Sequence, residues 1–305
     1  MRQGVGQVVV VVVTLATSLV SAADILGLEN LHDPEVLSLT TGEFDVPHGD
    51  WSECFYTRVT TMHELAIVAA SGRQSPHGHH ITAYYTDTPR DPEHHPCTSE
   101  EMVGWRRVAG ATGRGVQGKG LELPKGLAMK VPAGKQLVIQ SHYINTTIST
   151  IKATDTITLH LANPAHVQTY ANMFYFFNNE FEIPAQSSYQ SVTSCTVPRD
   201  LRIVQLAGHM HEFGTDYRLE QGDSLGQKLT TLYKEDWSPS SVWNPPVLRY
   251  SLEEPLILTA GTRLRQTCQW HNPTEQPLRY PREMCIAIFL YFPDEGPLFC
   301  QPDPS

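Results

Sequence analysis

Positive charge is scarce in this chain. Its 305 residues carry 22 Lys and Arg against 32 Asp and Glu, a net charge of −10. Binding to a phosphate backbone needs concentrated cationic side chains, and no basic run of that kind occurs, so nucleic acid is excluded as a partner. Long apolar runs are scarce too. Only Val8 to Val20 is nearly continuous, and it is shorter than the roughly 20 residues a membrane span requires. With Arg2 before it and the small residues Val20-Ser21-Ala22 after it, this run reads as a signal peptide over residues 1–22, an uncleaved anchor being the alternative. No later stretch can cross a bilayer, so the mature chain is expected in a secreted, extracellular or other oxidising export compartment. None of the six cysteines forms Cys-x-x-Cys, which argues against thiolate zinc sites and thioredoxin-like redox chemistry. An even number of cysteines in an exported chain reads instead as disulfides, with fifteen pairings open.

Helical periodicity is also missing. What is present is a succession of short β-branched or alternating runs, among them Leu65–Ala70, Gly78–Thr86, Gln136–Ile144, Asp155–Leu161, Arg202–His211, Arg263–Trp270 and Met284–Phe292, separated by Gly- and Pro-rich turns. Residues 24–39 show little pattern, and 87–120 read as loop. The expected fold is all-β: two jelly-roll-like antiparallel β-sandwich domains packed side by side. The first is assigned to 40–169 and the second to 170–301. No sequence repeat between the halves and no low-complexity tract is evident.

Chemistry is concentrated in histidines. His209 and His211 stand two apart on a strand, so both rings project from one face. Met284, at the head of another strand, adds a thioether, a soft donor that favours copper, especially Cu(I). In the first half His79 and His80 are adjacent and should point to opposite faces unless a bulge turns one round. His142 lies on another strand, with Gln140 on the same side. His94 and His95 fall in a Pro-rich segment and read as solvated. Asn145-Thr146-Thr147 is a glycosylation sequon, which makes a glycoprotein the expectation.

In this order, these residues resemble the copper type II, ascorbate-dependent monooxygenases, the family of peptidylglycine α-hydroxylating monooxygenase and dopamine β-monooxygenase. The resemblance runs from about Ser52 to Cys300, and Glu283-Met284-Cys285 is its most specific signature. It implies two copper ions per chain. One would be an electron-relay site on His79, His80 and His142, with Gln140 beside it. The other would be a catalytic site on His209, His211 and Met284. It further implies hydroxylation of a substrate C–H bond with O₂ and ascorbate or a similar one-electron donor. It pairs Cys54 with Cys97, Cys195 with Cys300 and Cys268 with Cys285, the last stapling the Met284 strand to its neighbour.

This chain departs from the peptide enzyme where that enzyme holds its substrate's carboxylate. An Arg, an Asn and a Tyr are replaced by Ala207, Ile286 and Ile288, which removes the charge and hydrogen bonds. The expected substrate is therefore a small uncharged or apolar molecule, not a C-terminal glycine peptide. Two alternatives remain. One is a mononuclear cupin-type enzyme using His209, His211 and Asp216. The other is a secreted copper-binding protein without turnover.

Overall fold

The computed structural model describes residues 35–112, 117–242 and 245–303, so the signal-peptide segment 1–22 lies outside the described residues. The chain divides into two compact units with the break after Tyr170. Among the described residues the structure is all-β apart from two short helical turns, Ser99–Val103 and Pro164–His166.

The first unit contains β1 (Glu35–Thr40), β2 (Phe44–Val46), β3 (Gly49–Thr60), β4 (Leu65–Arg73), β5 (Gly78–Thr86), β6 (Glu93–Pro96), β7 (Trp105–Thr112), β8 (Gln117–Glu122), β9 (Leu127–Val131), β10 (Gln136–Asn145), β11 (Ile151–Ala153) and β12 (Thr156–Ala162). One sheet runs β6-β3-β10-β5-β7, the other β1-β12-β4-β9, and β8 pairs with both β4 and β7. Alternation along β12 buries Ile157, Leu159 and Leu161, one side of a half-solvated strand. Phe44, Phe55 and Tyr143 meet edge to face in the interior, with ring centroids 5.0 and 5.8 Å apart.

The second unit contains β13 (Thr169–Asn178), β14 (Glu182–Ile183), β15 (Ser187–Thr196), β16 (Leu201–His209), β17 (Gly214–Gly222), β18 (Thr230–Glu235), β19 (Leu248–Arg249), β20 (Leu256–Leu258), β21 (Arg263–Asn272), β22 (Leu278–Arg279), β23 (Cys285–Phe292) and β24 (Leu298–Cys300). One sheet runs β15-β21-β17-β18. The other sets β13 and β16 on either side of β23, with β19 and β20 on β16 and β24 parallel to β13. Phe174, Phe176, Leu206, Tyr217, Trp270 and Phe289 fill the space between the sheets.

Two expectations about order are corrected. The stretch 24–39, read as having little pattern, holds most of β1. The stretch read as loop over 87–120 holds β6, a capped helical turn, β7 and part of β8. The Pro and Gly residues of this stretch obscure its short elements in the sequence. Thr98 and Glu101 form a reciprocal capping box on the helical turn, which supplies the hydrogen bonds its length cannot.

The absence of a repeat is corrected as well. Phe44-Asp45-Val46-Pro47 answers to Phe181-Glu182-Ile183-Pro184. Leu65-x-Ile67-Val68, with Gly72 and Gly78, answers to Leu201-x-Ile203-Val204, with Gly208 and Gly214. The ladders agree. Asp45 pairs with Lys152 as Glu182 pairs with Arg279, each as an ion pair. Gly49 faces Asn145 as Ser187 faces Asn272. Asn145 is fully buried. Its Nδ2 lies 3.0, 3.1 and 2.9 Å from the carbonyls of Val46, Pro47 and Ser149, and its Oδ1 accepts from Thr147 N and Oγ1. Asn272 makes the same set with Ile183, Pro184, Gln276 and Thr274. The match escapes a sequence scan because loop lengths shift the offset from segment to segment. It also corrects the glycosylation reading: the Asn145 amide is a buried corner clamp with its hydrogens committed, and a glycan there does not fit the fold.

The three disulfides are Cys54–Cys97, Cys195–Cys300 and Cys268–Cys285, the pairing the resemblance implies. They fit an oxidising compartment. No helix among the described residues is long and apolar enough to cross a membrane.

Candidate metal centres

The first-unit site is built on a β-bulge. His142 on β10 pairs with His80 on β5, but the next residue, Tyr143, pairs with Gly78. His79 is the extra residue, and the bulge turns its ring to the side of its neighbour. The three Nδ1 atoms converge: His79 to His80 is 2.8 Å, His79 to His142 3.1 Å and His80 to His142 3.4 Å. A point equidistant from the three lies about 1.8 Å from each, close to a metal–imidazole bond length. On the far edge of the His142 ring, Nε2 is 2.9 Å from Asp50 Oδ1. A carboxylate there holds the hydrogen on Nε2 and leaves the Nδ1 lone pair for a ligand, the usual support behind a metal-binding histidine. The His142 carbonyl in turn accepts from Gln74 Nε2 at 3.4 Å. His79 and His142 are buried. An all-imidazole set suits copper, zinc or other late first-row ions, and lacks the oxygen donors that Ca²⁺ and Mg²⁺ need.

Gln140, two residues before His142, accepts from Tyr84 Oη at 3.0 Å and turns its amide nitrogen to Met102 Sδ at 3.9 Å. The helical turn bearing Met102 thus covers that end of the sheet face.

In the second unit His209 closes β16 and His211 follows it. Their ring centroids are 5.2 Å apart at 82°. His209 pairs with Ile286 on β23, where the ladder ends; His211 lies two residues beyond that pair on one side and Met284 two residues before it on the other. His211 is fixed from three directions. Its backbone nitrogen donates to Glu283 Oε2 at 3.1 Å, its Nδ1 to the Arg282 carbonyl at 3.0 Å, and its own carbonyl accepts from Trp237 Nε1 at 3.0 Å. A carbonyl only accepts, so Nδ1 carries the hydrogen and the Nε2 lone pair is left to ligate.

Glu283 is fully buried and also accepts from Phe213 N at 2.8 Å and Trp270 Nε1 at 3.0 Å. Burial pushes its carboxyl up to about 7, against the lowering effect of those donors. The Cys268–Cys285 bond sits beside it. Glu283, Trp237 and Asp50 were not identified as functional from sequence. Glu283 stood inside the quoted tripeptide, and nothing marked the other two.

Met210, Cys285, Ala287 and Phe289 belong to the core, so the alternate residues of the same strands face away from it. Across the strands they form two rows, His209–Ile286–Phe177 and Ala207–Ile288–Tyr175–Phe299. Phe299 stacks on Tyr175 and Phe177 with centroids 5.6 and 6.1 Å apart. The histidine pair thus adjoins an apolar shelf without a charged side chain.

Two expectations fail. Among the described residues the group of three His, Cys, Asp or Glu donor atoms within 4.8 Å is His79, His80 and His142, so Asp216 does not complete a cupin-type set with His209 and His211. His94 is not a loop residue, although its side chain stays 41% exposed. It lies on β6, with Nδ1 2.7 Å from Glu53 Oε1 and its ring stacked on Phe55. Strand pairing of β6 with β3 put it there, and Pro92 and Pro96 hid the strand from a sequence reading.

No family model and no curated protein matches the chain. Among solved structures it is similar to PNGase F, a glycosylasparaginase from Flavobacterium meningosepticum, at 9% identity and a TM-score of 0.43 over 88% of this chain and 99% of that one. A triple-jelly-roll protein of an archaeal virus gives 9% and 0.21 over 88% and 62%. A putative alpha-L-fucosidase from Bacteroides ovatus gives 10% and 0.19 over 73% and 34%. At these scores no function passes from them to this chain.

Proposed function

We propose that this protein is an exported copper-dependent monooxygenase that hydroxylates a C–H bond of a small, uncharged, apolar substrate with O₂ and ascorbate or a similar one-electron donor. The observation that carries the reading is the convergence of three Nδ1 atoms within 3.4 Å of one another, with Asp50 behind one ring. The donor sets fit copper: three imidazoles in one unit, two imidazoles and the Met284 thioether in the other. Bound copper supplies one-electron chemistry toward O₂.

The chain's own residues do the rest. The Arg282 carbonyl sets the His211 tautomer, and Glu283 holds the turn that carries the ring. The shelf of Ala207, Ile286, Ile288, Tyr175 and Phe177 excludes water and seats an apolar body beside His209. It offers no partner to a carboxylate, which would be left desolvated and unpaired there.

Purified protein loaded with copper and dialysed should retain two ions per chain and consume O₂ in an ascorbate-dependent way. Met284→Ala and His209→Ala should abolish uptake while the first-unit ion stays bound. Two tightly held ions with no uptake under any donor would instead make it a copper carrier. Hydroxylation of glycine-extended peptides at ordinary rates would overturn the substrate reading.

A further inference from the structure

The first unit holds a cleft of about 610 Å³ that the metal sites do not use. It opens between the β2–β11 pair and the β3–β6 edge, with Phe44, Trp51 and Phe55 among its lining. At its wall Glu53, 5% exposed, is held from both sides: Trp51 Nε1 donates to Oε2 at 3.1 Å, and His94 Nδ1 lies 2.7 Å from Oε1. One buried carboxylate therefore fixes two rings at once. His94 is clamped further by Phe55, yet its side chain is 41% exposed. With Nδ1 donating to Glu53, the neutral ring presents Nε2 on its other edge as an acceptor.

The second unit serves as a control. Matching the β3–β10 and β15–β21 ladders puts Tyr189 and Ser191 where Trp51 and Glu53 stand. Among the described residues no strand covers β15 as β6 covers β3. The scaffold folds without the carboxylate–imidazole pair, so the pair is not required to close a sandwich of this kind. Only the first unit adds β6, stapled to β3 by Cys54–Cys97.

We propose that this cleft binds a neutral saccharide. Its rim carries both signs of charge, Glu43, Asp45 and Glu93 against Arg58 and Lys152. A strongly anionic or cationic ligand meets repulsion from one set. Hydroxyl groups donate to the carboxylates and to His94 Nε2 and accept from the cations. The apolar side of a sugar ring packs on Trp51, the part-exposed aromatic of the lining, with Phe44 and Phe55 buried behind it.

The proposal does not depend on copper chemistry. Saturation-transfer NMR on the full chain with cellotetraose, chitotetraose, mannotriose and lactose at millimolar concentration should show at least one binding. Affinity should fall about five- to tenfold in His94→Ala and in Trp51→Ala. The His94→Ala variant should keep first-unit metal uptake, which separates a lost contact from a lost fold. No binding of any of the four sugars would overturn the proposal. So would binding that survives both substitutions, or a cleft that takes spermine or heparin in their place.

Discussion

The two units share one scaffold and place their histidines at different points on it. Matching Gly72 to Gly208 sets Arg73 and Ser75 of the first unit where His209 and His211 stand in the second. Matching the β5–β10 and β17–β21 ladders sets Thr215, Asp216 and Gln269 where His79, His80 and His142 stand. Neither candidate site is a copy of the other. What the units hold in common is the support. In the second, Glu283 accepts from His211 N and Trp270 Nε1. In the first, Asp155 accepts from Ser75 N at 3.1 Å and from the hydroxyl of Tyr143, the counterpart of Trp270. A buried acid pins the same turn in both, and only one turn was given imidazoles. Burial raises the Asp155 carboxyl as it raises that of Glu283. The scaffold supplies rigid turns, and side-chain identity decides which becomes a site.

The sharpest way to break this comparison is His142→Ala. It should remove one metal ion per chain, leave the second-unit ion in place and abolish turnover, read by metal analysis and O₂ uptake. Loss of both ions would show that the sites are not independent. Asp50→Asn should be milder. It keeps His142 but weakens its support, and first-unit metal affinity should fall about 10- to 100-fold in a competition titration. Asn145→Asp and Asn272→Asp test the shared corner clamp. Each puts an acceptor against carbonyls that had a donor, and each should destabilise its unit by about 1–3 kcal/mol in denaturant unfolding. Unequal losses would show that the clamps are not equivalent. Mass spectrometry of the secreted protein should find Asn145 unmodified.

The smallest effect concerns pH. Glu283 in the folded state titrates near 7, above its ordinary 4.5. The folded chain therefore holds a proton that the unfolded chain has released. Its contribution to stability is full below 4.5 and is lost as pH rises through 7. Metal-free protein should melt progressively lower across that window. Glu283→Gln should flatten the slope relative to wild type, and an unchanged slope would assign it to other groups.

The strand-rich class was legible because alternation survives in sequence, as in β12 and β21. The histidines of the first-unit cluster were legible by type, and the disulfides by resemblance. The rest was not, because it depends on pairing across the chain. Asp50 lies far from His142 in sequence and meets it only through the β3–β10 ladder. His94 reaches Glu53 only because β6 adds to the edge. The repeat was hidden by unequal loops, although the β3–β10 and β15–β21 ladders agree in register from Gly49 to Tyr56.

The bulge at His79 has a counterpart. On β17 the pairing passes from Gly214–Trp270 to Asp216–Gln269, leaving Thr215 as the extra residue. The kink is therefore common to both units and does not depend on histidine at that position. Three side-chain exchanges, with no insertion or deletion, separate the second unit from a triad like that of the first. At these positions the two units differ in side-chain identity, on a bulge that both backbones share.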